Sequence, residues 1–212
     1  SKTGRAELAF EVLETLLKQK LDELDFQGVR LFLEPRYFRL GNSLSAEAQK
    51  DLSMLLAAVR MRLCLLIGDC KQAERLYLEA MELGGDFQTK PIKGHLHRQI
   101  AGYLLSRGEE GMSLQWIKKA VLQFQGSGDT AGERVATADL GSVLLAAGKF
   151  EEALEYLTLA EQSPAPSLQL EDVSGKALQG VALLLLGNLS RAQSEVECGL
   201  ARARHLKSRE WE

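Results

Sequence analysis

Apolar residues recur along most of this chain at three- and four-residue spacing, the period of a helix with one buried face. The stretch Leu140–Pro164, LGSVLLAAGKFEEALEYLTLAEQSP, shows the pattern clearly. It is broken once, at Gly148-Lys149, and places Gly141, Ala153 and Ala160 among larger apolar positions. The same arrangement returns at Gly68, Gly108, Gly148 and Gly187, which are 40, 40 and 39 residues apart. Five residues after each glycine stands Ala73, Ser113, Ala153 or Ala192. Twelve after it stands Ala80, Ala120, Ala160 or Gly199. Seven before it stands Met61, Ala101, Gly141 or Gly180. Larger residues hold other columns: Cys64, Leu104, Leu144 and Leu183 four before, and Tyr77, Ile117, Leu157 and Val196 nine after. Met61 and Cys64 fit their columns least well.

A repeated helical hairpin explains the columns. Helix A precedes the glycine and helix B follows it, with the glycine at a positive φ where the chain reverses. Small columns let two antiparallel helices approach at the short end of the ~8–10 Å interaxial range. The pattern predicts helix pairs over 45–66 with 69–83, 88–106 with 109–125, 129–147 with 149–162, and 167–186 with 188–206. A degenerate first pair over 5–22 and 25–34 precedes them, ended by Pro35. The fold class is therefore all-α: an α-solenoid of about five antiparallel hairpins. Its domains are a degenerate N-terminal hairpin over 1–44, four repeats over 45–83, 88–125, 129–162 and 167–206, and a tail over 207–212. Ser45 and Ser167 read as N-caps, and Thr130-Ala-Gly-Glu133 as a capping box. Gly84-Gly85, Gly126-Ser-Gly128 and Pro164-Ala-Pro166 read as links between hairpins.

These columns resemble the tetratricopeptide repeat: glycine at the turn, Phe150 or Leu189 two later, and alanine five and twelve later. The unit Leu140–Pro164 matches best, and the unit around Gly108 is weaker, with Glu110, Gly111 and Ser113. The period of about forty exceeds the common 34 of that family and is similar to its extended-helix class. The resemblance implies a right-handed superhelix with A helices lining a concave groove that takes a peptide or a partner domain. Carrying the groove columns across assigns Arg62, His95, Arg98, Gln99, Asp139, Ser142 and Ser174 to the partner-binding face. Apolar neighbours include Leu55, Ala58, Val135, Ala138 and Val181. Arg62 and Arg98 would each hold a carboxylate with two hydrogen bonds, or else pair with glutamate side chains of neighbouring helices. Columns that would carry the asparagines of a chaperone-tail clamp hold Arg62, Gly102, Asp139 and Ser142 instead, which argues against that ligand.

Composition narrows the function without naming it. Hydrophobic residues make up 45% and charged residues 26%, with a formal net charge of −3, so no global positive field draws nucleic acid or an anionic membrane. The longest apolar runs, Met54–Val59 and Val181–Leu186, fall far short of a membrane span. Three scattered cysteines, Cys64, Cys70 and Cys198, form no disulfide framework and fit a reducing, cytoplasmic setting. The chain opens on Ser1 almost directly into helix pattern, which reads as a fragment of something larger. Catalytic and metal-binding spacings are absent from the sequence, and no cofactor is implied. His95 and His97 stand two apart and face different ways on a helix, as exposed structural residues. Glu109-Glu110 and Glu151-Glu152 open B helices and complement their dipoles. Asn188-Leu-Ser190 has the form of a glycosylation sequon, but it opens a helix. The basic cluster Arg202, Arg204, His205, Lys207 and Arg209 reads as a solvated helix end. The expectation is a non-enzymatic scaffold binding a protein or peptide. The alternative is an effector-sensing or oligomerisation arm of a larger regulator, with self-association.

Overall fold

The computed structural model describes residues 44–83, 91–163 and 170–209, together with Val12 and Thr15. The predicted first hairpin otherwise lies outside these residues, as do Ser167, the Gly84-Gly85 link and the Pro164-Ala-Pro166 link. The described segments hold eight helices: α1 Ala46–Ile67, α2 Cys70–Leu83, α3 Pro91–Ser106, α4 Glu110–Ser127, α5 Thr130–Ala146, α6 Phe150–Gln162, α7 Leu170–Leu185 and α8 Leu189–Arg209. They pair in chain order as antiparallel hairpins, and the chain divides into two compact units, Ser1–Gln88 and Thr89–Glu212. The first unit contains the α1/α2 hairpin. The second contains three hairpins, α3/α4, α5/α6 and α7/α8, in which each B helix packs on the next A helix.

The four turn glycines have φ between 74° and 78°, a left-handed backbone that a side chain would resist. The residue after each glycine donates its N–H to the carbonyl five positions earlier. Asp69, Glu109, Lys149 and Asn188 thus bond Cys64, Leu104, Leu144 and Leu183 at 2.8–2.9 Å. This closes the orphan carbonyls of each A helix. The same residue then accepts the first bond of helix B, from Ala73, Ser113, Ala153 or Ala192. One glycine and one neighbour thereby end one helix and begin the next. Asn188 also accepts from the Arg191 N–H through Oδ1 at 3.3 Å, so the sequon asparagine serves as a helix cap.

The small columns are the hairpin seams. Ala73, Ser113, Ala153 and Ala192 are buried, as are Ala80, Ala120 and Ala160. A Cβ at Gly141 would sit 2.6 Å from Cγ of Leu157 and 3.2 Å from the Ala153 carbonyl, and one at Gly180 would sit 2.6 Å from Val196. The column seven before the turn is therefore small because the column nine after it is large. Ser113 replaces alanine at no polar cost: its hydroxyl donates to the Ala101 carbonyl across the seam at 2.8 Å. Met61 is fully buried although its column is otherwise small, its unbranched thioether filling what space there is.

In the second unit a core runs through Ala101, Ile117, Ala120, Phe124, Ala136, Leu140 and Leu144. Phe124 on α4 is its wedge. A Cβ at Gly94 on α3 would lie 2.6 Å from the ring, and one at Gly132 on α5 would fall on the ring as well. Two missing side chains on successive A helices thus make room for one aromatic side chain of the B helix between them.

Three boundaries differ from the sequence pattern. Asp129, not Thr130, caps α5, its carboxylate accepting from the Gly132 N–H at 2.9 Å. Thr130 is already helical, because the aspartate carboxylate one position earlier reaches the free donor. Gly126 and Ser127 belong to α4, and the reversal waits for Gly128 at φ 72°. Helix α8 continues to Arg209, past the expected end at 206.

Candidate functional site

The residues assigned to the binding face lie on A helices of both units, and the structure draws only some of them together. Arg62 is half-buried on α1 in the first unit. In the second unit Arg98 on α3 donates from Nε to Oδ2 of Asp139 on α5 at 2.7 Å. The arginine side chain is 10% exposed and the aspartate 43%. Two residues expected to contact a ligand therefore bind each other across successive A helices, and the acidic partner of Arg98 is an aspartate of the assigned face where the alternative sequence reading put a glutamate of a neighbouring helix. The aspartate remains open to solvent on one side. Gln99 and Ser142 are half-buried on the same two helices.

His95 and Ser174 do something different. The His95 ring packs edge-on to Phe124, with centroids 5.0 Å apart. Ser174 is exposed on α7, at the position thirteen before the turn glycine. The matching residue of α5, Val135, faces the next hairpin, since it lines a pocket with Gly175, Lys176 and Gln179. That pocket holds about 20 Å³, room for about one water molecule. Arg134, Glu161 and Arg202 also line it.

Beside it lies a cluster that the repeat columns did not reveal. Lys176 is buried on α7. Its Nζ donates to Glu161 of α6 at 2.6 Å, to Glu195 of α8 at 2.7 Å and to Gln179 at 3.1 Å. Glu161 also accepts from Gln179 at 3.3 Å and from Arg202 of α8 at 2.8 Å. Burial alone would lower the Lys176 pKa and raise that of Glu161. The hydrogen bonds and opposite charges outweigh it, so the lysine is held above its usual value and the glutamate below. Arg202 is thus an ion-pair residue joining the third and fourth hairpins, and not a member of a freely solvated basic end.

A second buried polar residue occupies the same repeat position. Lys176 stands eleven before its turn glycine, and so does His97, which is buried where exposure was expected. The His97 ring packs edge-on to Trp116 of α4 at 5.0 Å, and Lys119 lies 4.1 Å over that indole. Burial, helped by the positive charges of Lys119 and Lys93, lowers the His97 pKa to about 4. His95 meets Phe124 while His97 meets Trp116, so the two rings diverge. Cys64 is buried in the first hairpin, and burial, then Asp69, pushes its thiol up, away from the reactive thiolate. Cys70 is exposed and Cys198 half-buried.

No protein-family model matches the sequence, and no curated protein matches it. Solved structures do. The chain is similar to BtubC (BKLC) from P. vanneervenii at 13% identity, with 96% of this chain and 83% of that one covered and a TM-score of 0.66. It is also similar to a putative kinesin light chain of nearly identical TPR-like repeats from Podosopora anserina. There the identity is 14%, the coverage 94% of this chain and 97% of that one, and the TM-score 0.60. The fold is TPR-like. Identity this low carries the fold alone. Among the described residues, no helix is long and apolar enough to cross a membrane.

Proposed function

We propose that the chain is a non-enzymatic scaffold in the cytoplasm that binds a peptide or a partner protein domain along its A helices. TPR-like folds are generally associated with protein–protein interaction. The observation that carries the proposal is the Arg98–Asp139 pair, which bridges two successive A helices and leaves its carboxylate 43% exposed. Flanked by Gln99 and Ser142, it offers donors and acceptors that an extended segment can meet at an otherwise apolar repeat surface. His95 and Ser174 belong to the same proposed set within the second unit, His95 acting through its packing on Phe124, and Arg62 on α1 is proposed for the first unit by itself.

The test reverses the pair while keeping it. In Arg98→Asp/Asp139→Arg the two charges still attract, so the helical circular dichroism and the melting temperature stay close to those of the native chain. Partners recovered from a source lysate and identified by mass spectrometry should be lost from this variant. A folded variant that recovers the same partners rejects the proposal. The competing reading, an arm that senses a small effector, finds little support in the pocket between the third and fourth hairpins. Its volume of about 20 Å³ is far below the roughly 300 Å³ of a small-molecule site.

A further inference from the structure

The Arg98–Asp139 pair uses only part of its hydrogen-bonding capacity. A guanidinium carries several N–H donors and a carboxylate several acceptor positions. The bond between them runs from Nε to Oδ2 at 2.7 Å. Both Nη groups of the arginine and Oδ1 of the aspartate lie outside that bond. Among the described residues, neither side chain makes a second one. The arginine is 10% exposed and the aspartate 43%, so the pair is sunk into the surface with its acceptor side open. Ala138 and Ser142, which share the solvent side of α5 with Asp139, are small and half-buried. They leave room over the pair for a flat group.

Charge and shape together decide what that group is. A ligand carboxylate would accept from Nη but set its own charge against Oδ1. A ligand ammonium would donate to Oδ1 but face the guanidinium. The pair is neutral as a whole, so its complement is a neutral group with a donor and an acceptor side by side. A trans peptide unit points its N–H and C=O in opposite directions and cannot serve both at once. A primary carboxamide carries its oxygen and its N–H groups at one end. We propose that the pair reads an asparagine or glutamine side chain of the bound segment, which rests on the A helices being the binding face. The carboxamide oxygen accepts from Nη of Arg98, and its nitrogen donates to Oδ1 of Asp139.

Peptide pools test it against the immobilised 212-residue chain. Each peptide has about nine residues, about 30 Å when extended, and is random except at the centre. The centre is fixed in separate pools as Asn, Gln, Asp, Glu, Lys, Arg or Leu, and retained peptide is measured by mass spectrometry. The native chain retains the Asn and Gln pools roughly tenfold above the others, the worth of two modest hydrogen bonds. Asp139→Asn leaves the Arg98 charge uncompensated and moves the preference to the Asp and Glu pools. Arg98→Gln moves it to the Lys and Arg pools. Asp139 is 43% exposed, so its variant keeps the native circular dichroism even if Arg98→Gln impairs folding. A native chain that prefers an acidic, basic or apolar centre, or none, overturns the carboxamide assignment. If that retention changes in Asp139→Asn, the A-helix binding face still stands. Retention that is the same in the native chain and in folded Asp139→Asn overturns both, as does a native chain that retains no pool.

Discussion

His97 and Lys176 occupy the same position in two hairpins, eleven residues before the turn glycine, and both are buried. The corresponding residues of the other two hairpins are Ala57 and Thr137, also buried. The position is therefore one that the fold always encloses. What differs is the company. Lys176 meets two carboxylates and a carboxamide and keeps its charge. His97 meets an indole and two lysines and loses its charge. A buried ionisable group is thus governed by the neighbouring helices and not by its own place in the repeat.

The largest effect should come from removing the lysine. Lys176→Ala leaves Glu161 and Glu195 beside each other without their shared cation. Breaking a buried pair costs about 3–5 kcal/mol, and the partial exposure of both glutamates places this change near about 3 kcal/mol. Urea unfolding measures it. A loss under about 1 kcal/mol would mean that the cluster behaves as a surface pair and that the contrast with His97 fails.

The histidine gives an effect of the next size, and it depends on pH. Its folded pKa of about 4 lies below the unfolded value near 6.5, so the unfolded chain binds the proton more readily between those values. Stability is full above pH 6.5 and falls as pH drops toward 4, by about 2–3 kcal/mol at the lower end. Glu161 adds to the loss further down, because its depressed pKa contributes stability only while it is ionised. His97→Thr, which installs the residue of the third hairpin, should flatten the curve between pH 6.5 and 4. A parallel curve for this variant would show that another group governs the slope.

The smallest effect belongs to Ser113. Ser113→Ala gives the second hairpin the residue of the other three at that position and removes one hydrogen bond to the Ala101 carbonyl. The carbonyl belongs to a helix, so the expected change in thermal unfolding is within about 1 kcal/mol. A larger loss would show that the seam of this hairpin depends on the hydroxyl.

Much of the fold was legible because it is written in local terms. A turn glycine, a small seam and an amphipathic helix each depend on residues within one hairpin, so their spacing appears directly in the chain. Gly141 opposite Leu157 and Gly180 opposite Val196 are examples, each visible as paired columns. The cap of α5 was misplaced by one residue, since Asp129 and Thr130 are both good caps and only geometry separates them. The link at Gly126-Ser127 was misplaced because a helix can absorb one glycine before the next one turns the chain. The Lys176 cluster was not legible. Its partners lie fifteen residues before it and nineteen after it, and the rotation between hairpins decides whether they meet. One signal was present: a lysine in a column otherwise filled by Ala, His and Thr. Of the proposed binding residues, an ion pair for Arg98 was among the sequence alternatives, but with a glutamate and not with Asp139. The turn of His95 toward Phe124 was not, because it follows from two glycines whose spacing does not repeat.

Those two glycines carry a consequence of their own. With one ring seated against both Gly94 and Gly132, the joint between the second and third hairpins cannot loosen by degrees. Parting them strands a bare aromatic in water, while holding them excludes solvent from both helix backbones. Amides on the two sides of that joint should therefore exchange their hydrogens in step, making this junction a cooperative block within the second unit.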